Sequence, residues 1–421
     1  MPEYVAIILF ALGILVSVAL HEAGHAGTAR AFGMKVTRFF IGFGPTLFSF
    51  RRKETEYGLK AIPAGAFVKI VGMTPQDEDV EPEDEPRAMW RYPVWKRTIV
   101  MAAGSAAHFM LGLLILWIMF AFMALPDAGK LDRQRAAIKD VSPCVSATLF
   151  KPGTTTLNEC TEAKDGPSPA KRAGLRPGDV VVAVDGRPVT SWRESTERIR
   201  QAGGREIEIT YERDGATRTA TVTLPLAERI KAGVPADTPL DDIGADDLQK
   251  VGVLGIAPTI PTTTYGPLRA FGMTWDNTVL IFKGTFASMK KFPEKVPKLW
   301  AALGGGERDP ETPISVIGAS RIGGELGARG EWPSFLIVLA TLNFFVGVFN
   351  LLPLLPLDGG HIAIAWFERA RSWLYARLGR ADPGRVDYYK LMPVTYVVIL
   401  IFGGFFLLTV AADIINPITL L

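Results

Sequence analysis

Four stretches of the chain run almost without charge: Tyr4–Leu20, Ile99–Leu125, Pro333–Leu357 and Leu391–Ala412. A helix rising 1.5 Å per residue needs about 20 apolar residues to cross a hydrocarbon layer about 30 Å thick. The pattern therefore predicts four membrane-spanning helices. Helical sequence continues past the first run to about Phe32, where Gly33 makes a suitable C-cap. A signal peptide is the competing reading of that run. It has no positively charged segment before it and no small-x-small cleavage site at its end. The second run is interrupted only by His108.

Between the second and third runs the period changes. In "AGLRPGDVVVAVDGRPV" a Pro-Gly-Asp turn leads into a strand alternating through Val180, Val182 and Val184, and Asp185-Gly186 signals a hairpin. "SWRESTERIRQAGG" has helical spacing and ends on a glycine pair. "EIEITYERDGATRTATVTL" reads as two alternating strands around Asp214-Gly215. A small β-rich domain with one or two helices follows from this pattern. Beyond it, Leu268, Phe271, Trp275, Val279, Phe282, Phe286 and Met289 recur at three- and four-residue steps, an amphipathic helix too charged to span. Two placements stay open: on the membrane surface, or packed against the β-rich domain. After the first run, "VTRFFIGFGPTLFSF" through "AIPAGAFVKI" alternates like strands, and "QDEDVEPEDEP" beyond it reads as a solvated loop.

The chain thus divides into span one (1–33), a β-rich segment (34–97), span two (98–126), the β-rich domain (127–260), an amphipathic helix and linker (261–331), span three (332–360), a loop or helix (361–390), span four (391–413) and a tail (414–421).

Composition agrees with a membrane protein, 48% of the residues being hydrophobic, and a formal net charge of +3 gives no reason to expect a nucleic-acid partner. Lys and Arg gather in the segment from Met34 to Thr98 and in the link between spans three and four, while the termini carry almost none. With four spans those two basic loops share a side, which loop charge assigns to the cytoplasm. The section from about Asp127 to Glu331 then lies outside. It holds both cysteines, Cys144 and Cys160, which an oxidising compartment allows to pair. Two separate buried thiols are the alternative.

Span one ends in "HEAGH". The i,i+4 spacing puts His21 and His25 on one helix face within reach of one zinc ion, with Glu22 placed to take a proton from zinc-activated water. A catalytic zinc site uses three protein ligands and keeps one position open. Only His108 and His361 remain as histidines, so carboxylates compete. Asp358, in "NLLPLLPLDGGH", ends the third span at the depth where the first span ends, and is the favoured third ligand; His361 is its rival, or sits behind the ligands. Pro353 and Pro356 break the helix there, and Gly359-Gly360 let the backbone turn closely.

The HExxH span, the basic segment, the inserted β-domain and the LDG motif resemble, over nearly the whole chain, the site-2 protease family of intramembrane metalloproteases. The resemblance implies an α-helical membrane protein with four transmembrane helices, a cytoplasmic membrane-associated β-segment offering its edge to unwound substrate, and an inserted extracytoplasmic PDZ-like α+β domain. In that domain "VLGIAP", from Val253 to Pro258, would fall near the strand edge that captures peptides, unless the domain is only a spacer or size filter. It also implies Zn2+ on His21, His25 and Asp358, Glu22 as base, and Asn350, eight residues before Asp358, on the substrate strand or its scissile carbonyl. The implied substrates are single-span proteins of a bacterial inner membrane, such as anti-sigma factors or remnant signal peptides, cut in the lipid bilayer near its cytoplasmic side. Two departures stand out. The second proline comes one residue late, and "AAGSAAHF" carries Ser105 and His108 where a proline and an asparagine are usual; His108 then either holds substrate or water or packs helices.

Other classes compete: a catalytically silent membrane scaffold recruiting partners through the PDZ-like domain, or a metal transporter. Neither needs Glu22 as a base, and a transporter would show polar ligands along several spans.

Overall fold

The computed structural model describes residues 1–73, 80–131, 133–152, 157–235, 238, 240–305, 308 and 312–418. Part of the acidic stretch "QDEDVEPEDEP" lies outside them. The chain forms two units, a discontinuous one of Met1–Met123 with Tyr265–Leu421, and an inserted one of Ala124–Thr264.

In the first unit α1 (Glu3–Ala31) leads into a long antiparallel hairpin, β1 (Val36–Arg52) and β2 (Thr55–Ile70), and then α2 (Val94–Phe122). Phe32 closes α1, and Gly33 takes the left-handed conformation expected after it, with φ +86°. Among the described residues four helices are long and apolar enough to cross a membrane: Glu3–Ala31, Val94–Phe122, Trp332–Asn350 and Tyr388–Ile415. Their outward faces keep large apolar residues exposed, such as Leu12, Val16, Met110, Leu400 and Ile401, as suits a lipid rather than an aqueous surround. The hairpin has an irregular register and stacks Phe40 on Phe67, yet leaves Phe43, Leu47, Phe48, Phe50 and Ile62 exposed.

The amphipathic sequence becomes the helix Gly266–Leu303 (here α4, with α3 the helix of the inserted unit below). It packs on the spanning helices: Phe282 meets Phe109 of α2 and Phe344 of the third span, and Phe271 meets Trp117. A shorter helix, α5 (Val316–Ala328), then presents a small-residue face to α1. A Cβ on Gly323 would meet the Phe10 ring at 2.2 Å, and one on Gly324 would meet Ile7 at 2.2 Å.

The third span, α6 (Trp332–Asn350), stops sooner than the apolar pattern suggested. Residues 351–357 form turns, and Asp358 opens the next helix, α7 (Asp358–Arg377), instead of closing the span. Pro353 and Pro356 lack the N–H that continuation needs. A Cβ on Gly359 would lie 2.2 Å from the Leu351 carbonyl oxygen, so only glycine lets the turn fold back on α6. The fourth span completes the unit as α8 (Met392–Ile415).

The inserted unit is built on a six-stranded antiparallel sheet. Its strands are β3 (Ala136–Val141), β4 (Val180–Val184), β5 (Arg187–Pro188), β6 (Glu206–Arg213), β7 (Ala216–Thr223) and, at the edge beside β3, Ile256–Pro258. Asp185-Gly186 and Asp214-Gly215 make the expected hairpin turns with positive φ at both central residues. The expected alternation through Val180, Val182 and Val184 does not hold. A register shift between Val181 and Ala183 turns Val181 and Val184 into the core. The helix α3 (Trp192–Gln201) starts at Ser191, whose hydroxyl accepts the Glu194 N–H, and buries Ile199 against the sheet. Cys144 and Cys160 are bonded to one another.

Candidate metal centre

Two histidines near the end of α1 are held where α2 comes closest. A Cβ on Gly24 would stand 2.5 Å from the Ala103 carbonyl oxygen. A Cβ on Gly104 would stand 2.4 Å from His25 Nε2 and 2.6 Å from His21 Cε1. Glycine at 104 thus leaves a cradle that both imidazoles fill, and any larger residue there would expel them. His25 Nδ1–H donates to the Val100 carbonyl at 2.7 Å; a carbonyl can only accept, so Nε2 is left with its lone pair.

The third group arrives from α7, which is tied to α2 by the part-buried Arg97–Glu368 ion pair at 3.2 Å and by a Trp366 Nε1 to Thr98 Oγ1 hydrogen bond at 3.0 Å. Asp358 Oδ2 lies 3.3 Å from His21 Nε2 and 3.3 Å from His25 Nε2, and the two Nε2 atoms are 3.1 Å apart. Among the described residues these three are the group able to share a metal ion. Ligand bonds of about 2.0 Å in a tetrahedron give edges of about 3.3 Å, so the triangle has the size of one face of a zinc site. Asp358 Oδ2 and His21 Nδ1 are buried with no hydrogen-bond partner. Two imidazole nitrogens and a carboxylate oxygen, converging at this spacing with one position left open, fit a divalent zinc ion by donor type and by size.

Glu22, half-buried, follows His21 on the same helix, against the backbone of Val68 on β2. Asn350 is the last residue of α6 and half-buried, outside the triangle. His361 lies in the first turn of α7, stacked on Tyr388 with Nδ1 3.4 Å from its hydroxyl, and is not one of the converging ligands. His108 is buried on α2 with its ring centroid 5.0 Å from that of His21, and its Nδ1 is 2.9 Å from Asn343 Oδ1. Ser105 is buried with its hydroxyl unpartnered. Asn343 and Gly104 were not anticipated. An asparagine in the middle of an apolar span was the available signal for the first, and the small-residue run "AAGSAA" for the second.

Comparison with known proteins is consistent across the chain. The family described as Peptidase family M50 matches residues 9–379. The zinc metalloprotease Rip1 of Mycolicibacterium smegmatis is 42% identical, over 99% of this chain and 98% of its own. The zinc metalloprotease Rip1 of Mycobacterium tuberculosis H37Rv is 43% identical, over 98% of each. A putative zinc metalloprotease of Neisseria meningitidis serogroup A is 27% identical, over 87% of this chain and 91% of that one.

Proposed function

The chain belongs to Peptidase family M50, the site-2 protease family, and on that premise we propose that it is an intramembrane zinc metalloprotease hydrolysing peptide bonds in or near the transmembrane segments of membrane proteins. The observation that carries this reading is the buried triangle of His21 Nε2, His25 Nε2 and Asp358 Oδ2, with Glu22 beside it. His21, His25 and Asp358 would hold the ion, which when bound would supply Lewis-acid chemistry, making water a nucleophile near neutral pH and polarising the scissile carbonyl. Glu22 accepts the proton of the attacking water on its carboxylate and returns it to the leaving amine. Val100 holds His25 in its ligating tautomer. Asn350, at the break between α6 and α7, steadies the unwound substrate strand. A silent scaffold would not need this donor set beside an intact glutamate.

A helix inside a bilayer satisfies its own backbone and hides its amides from water, so substrate must unwind beside the site. The aromatic hairpin β1–β2, which packs against α1, is suited to receive it as an added strand. The preferred substrates are single-span proteins of a bacterial inner membrane, anti-sigma factors or remnant signal peptides. In this reading the basic loops face the cytoplasm, supported by their Lys and Arg content. The inserted unit is extracytoplasmic and PDZ-like, supported by its bonded cysteines and by the edge strand Ile256–Pro258.

The test is cleavage of a single-span reporter by purified protein in detergent, wild type beside Glu22→Gln, with bound zinc counted in both. About one zinc in each and cleavage only by wild type is expected. Absence of zinc from both, or equal cleavage by Glu22→Gln, overturns the reading.

A further inference from the structure

His25 and His21 are not equally supported. The nitrogen of His25 that faces away from the triangle donates to Val100. The matching nitrogen of His21, Nδ1, is buried and has no hydrogen-bond partner among the described residues. If Nε2 of His21 ligates an ion, Nδ1 carries the proton, and a buried N–H without an acceptor is costly.

The neighbouring ring, His108, carries an acceptor of the right kind. The Asn343 amide nitrogen donates to the Leu339 carbonyl at 2.8 Å, so its Oδ1 is the atom facing His108. Oδ1 can only accept, which places the His108 proton on Nδ1 and leaves Nε2 a bare acceptor. No hydrogen bond joins Nε2 to a described residue. The rings of His108 and His21 have centroids 5.0 Å apart, tilted by 46°. At that spacing a small ring rotation or one bridging water joins a donor on one to an acceptor on the other. His108 and Asn343 are buried, at 2% and 1% exposed.

We infer that His108 is a positioning residue for the metal centre, accepting the His21 Nδ1 proton directly or through one water, with Asn343 setting its tautomer. The relay crosses three helices: His21 on α1, His108 on α2, then Asn343 and Leu339 on α6. This rests on the zinc reading above, and it explains why a histidine is useful in the second span beyond helix packing.

The test uses the full-length protein in detergent. Zinc affinity is measured by chelator competition, the visible spectrum is recorded with cobalt in place of zinc, and the His21 Nδ1 proton is followed by 15N NMR. His108→Phe fills the space without an acceptor and is expected to weaken zinc binding by about 10–100-fold, shift the cobalt bands and erase the hydrogen-bonded His21 signal. His108→Gln, which offers an oxygen acceptor, restores most of the affinity. Asn343→Ala leaves the ring in place but frees its tautomer, and falls between. Wild-type affinity and cobalt spectrum in His108→Phe overturn the inference while leaving the zinc reading intact. If that variant does not fold, wild-type affinity together with an unchanged His21 signal in Asn343→Ala does the same. A wild-type protein that binds no zinc overturns both.

Discussion

Two buried carboxylates in this protein are treated in opposite ways. Asp179, in the inserted unit, is 1% exposed and saturated: its oxygens accept from Arg213 Nε and Nη2, each at 2.7 Å, and from the Arg176 backbone N–H at 2.8 Å. Asp358, in the membrane unit, has one oxygen turned toward two imidazole nitrogens and no donor for it. A chain that buries a charge for structure surrounds it with its own donors. A chain that buries one for chemistry leaves donor positions for something that is not protein. Asp413 shows the first treatment inside the membrane unit as well, paired at 2.7 Å with Arg308 and accepting the Ser315 N–H at 2.6 Å. The distinction therefore follows role and not surroundings.

The largest effects expected are on the deficient site. Asp358→Ala or His25→Ala should abolish both zinc retention and reporter cleavage with little change in the melting of the inserted unit; retention of zinc by either would break the comparison. Gly104→Ala should also lose zinc, because its methyl would stand 2.4 Å from His25 Nε2. Metal analysis of the purified variant checks this. Glu22→Gln should keep zinc and lose about 10²–10⁴-fold in kcat.

On the saturated side, Arg213→Leu should destabilise the inserted unit, because Asp179 stays buried without its charge partner, and leave zinc untouched, read by hydrogen exchange at the core amides of Val181, Ile209 and Tyr211 in the full chain. Burial pushes the Asp179 carboxyl up, but Arg213 and the Arg176 N–H outweigh it and hold it below the usual carboxylate range. Its folded pKa is thus depressed, so the stability it contributes is present above the unfolded value of about 3.9 and is lost as pH falls through the lower folded one. Arg213→Leu should flatten that acid dependence in the same exchange measurement. Reducing the Cys144–Cys160 bond, which closes a loop over a sequence separation of 16, should cost the same amides about 3 kcal/mol of protection. Smallest is the bidentate Glu54–Arg87 pair at the hairpin, whose side chains are 35% and 41% exposed. Glu54→Gln should shift the melting of the full chain by no more than about 1 kcal/mol.

Much of the site was legible before any coordinates, because its parts obey local rules. Histidines four apart must share a helix face, and an apolar run of about 20 residues announces its own length. The Asp-Gly turns were legible for the same reason, since the conformation they need is a property of two residues. Three things were not. The end of the third span depended on a backbone turn folding against Leu351 and Leu352, which hydrophobicity does not register. The inward face of Val180–Val184 depended on a register shift with the neighbouring strand. The partners of the amphipathic helix depended on which apolar face lay free on α2 and α6, and composition names the need for a partner without naming the partner.

Sequence by itself determined that four apolar spans and a β-rich insertion exist, which residues are able to bind a metal, and that Glu22 stands beside them, since each follows from residue type and short-range spacing. Tertiary structure alone decided that Asp358, and not His361, meets the two histidines, that Gly104 is the wall behind them, and that His108 with Asn343 stands next to His21. Those outcomes join residues from 79 to 337 positions apart in the chain. Only the packing of α1, α2, α6 and α7 sets such distances, and no local rule carries them.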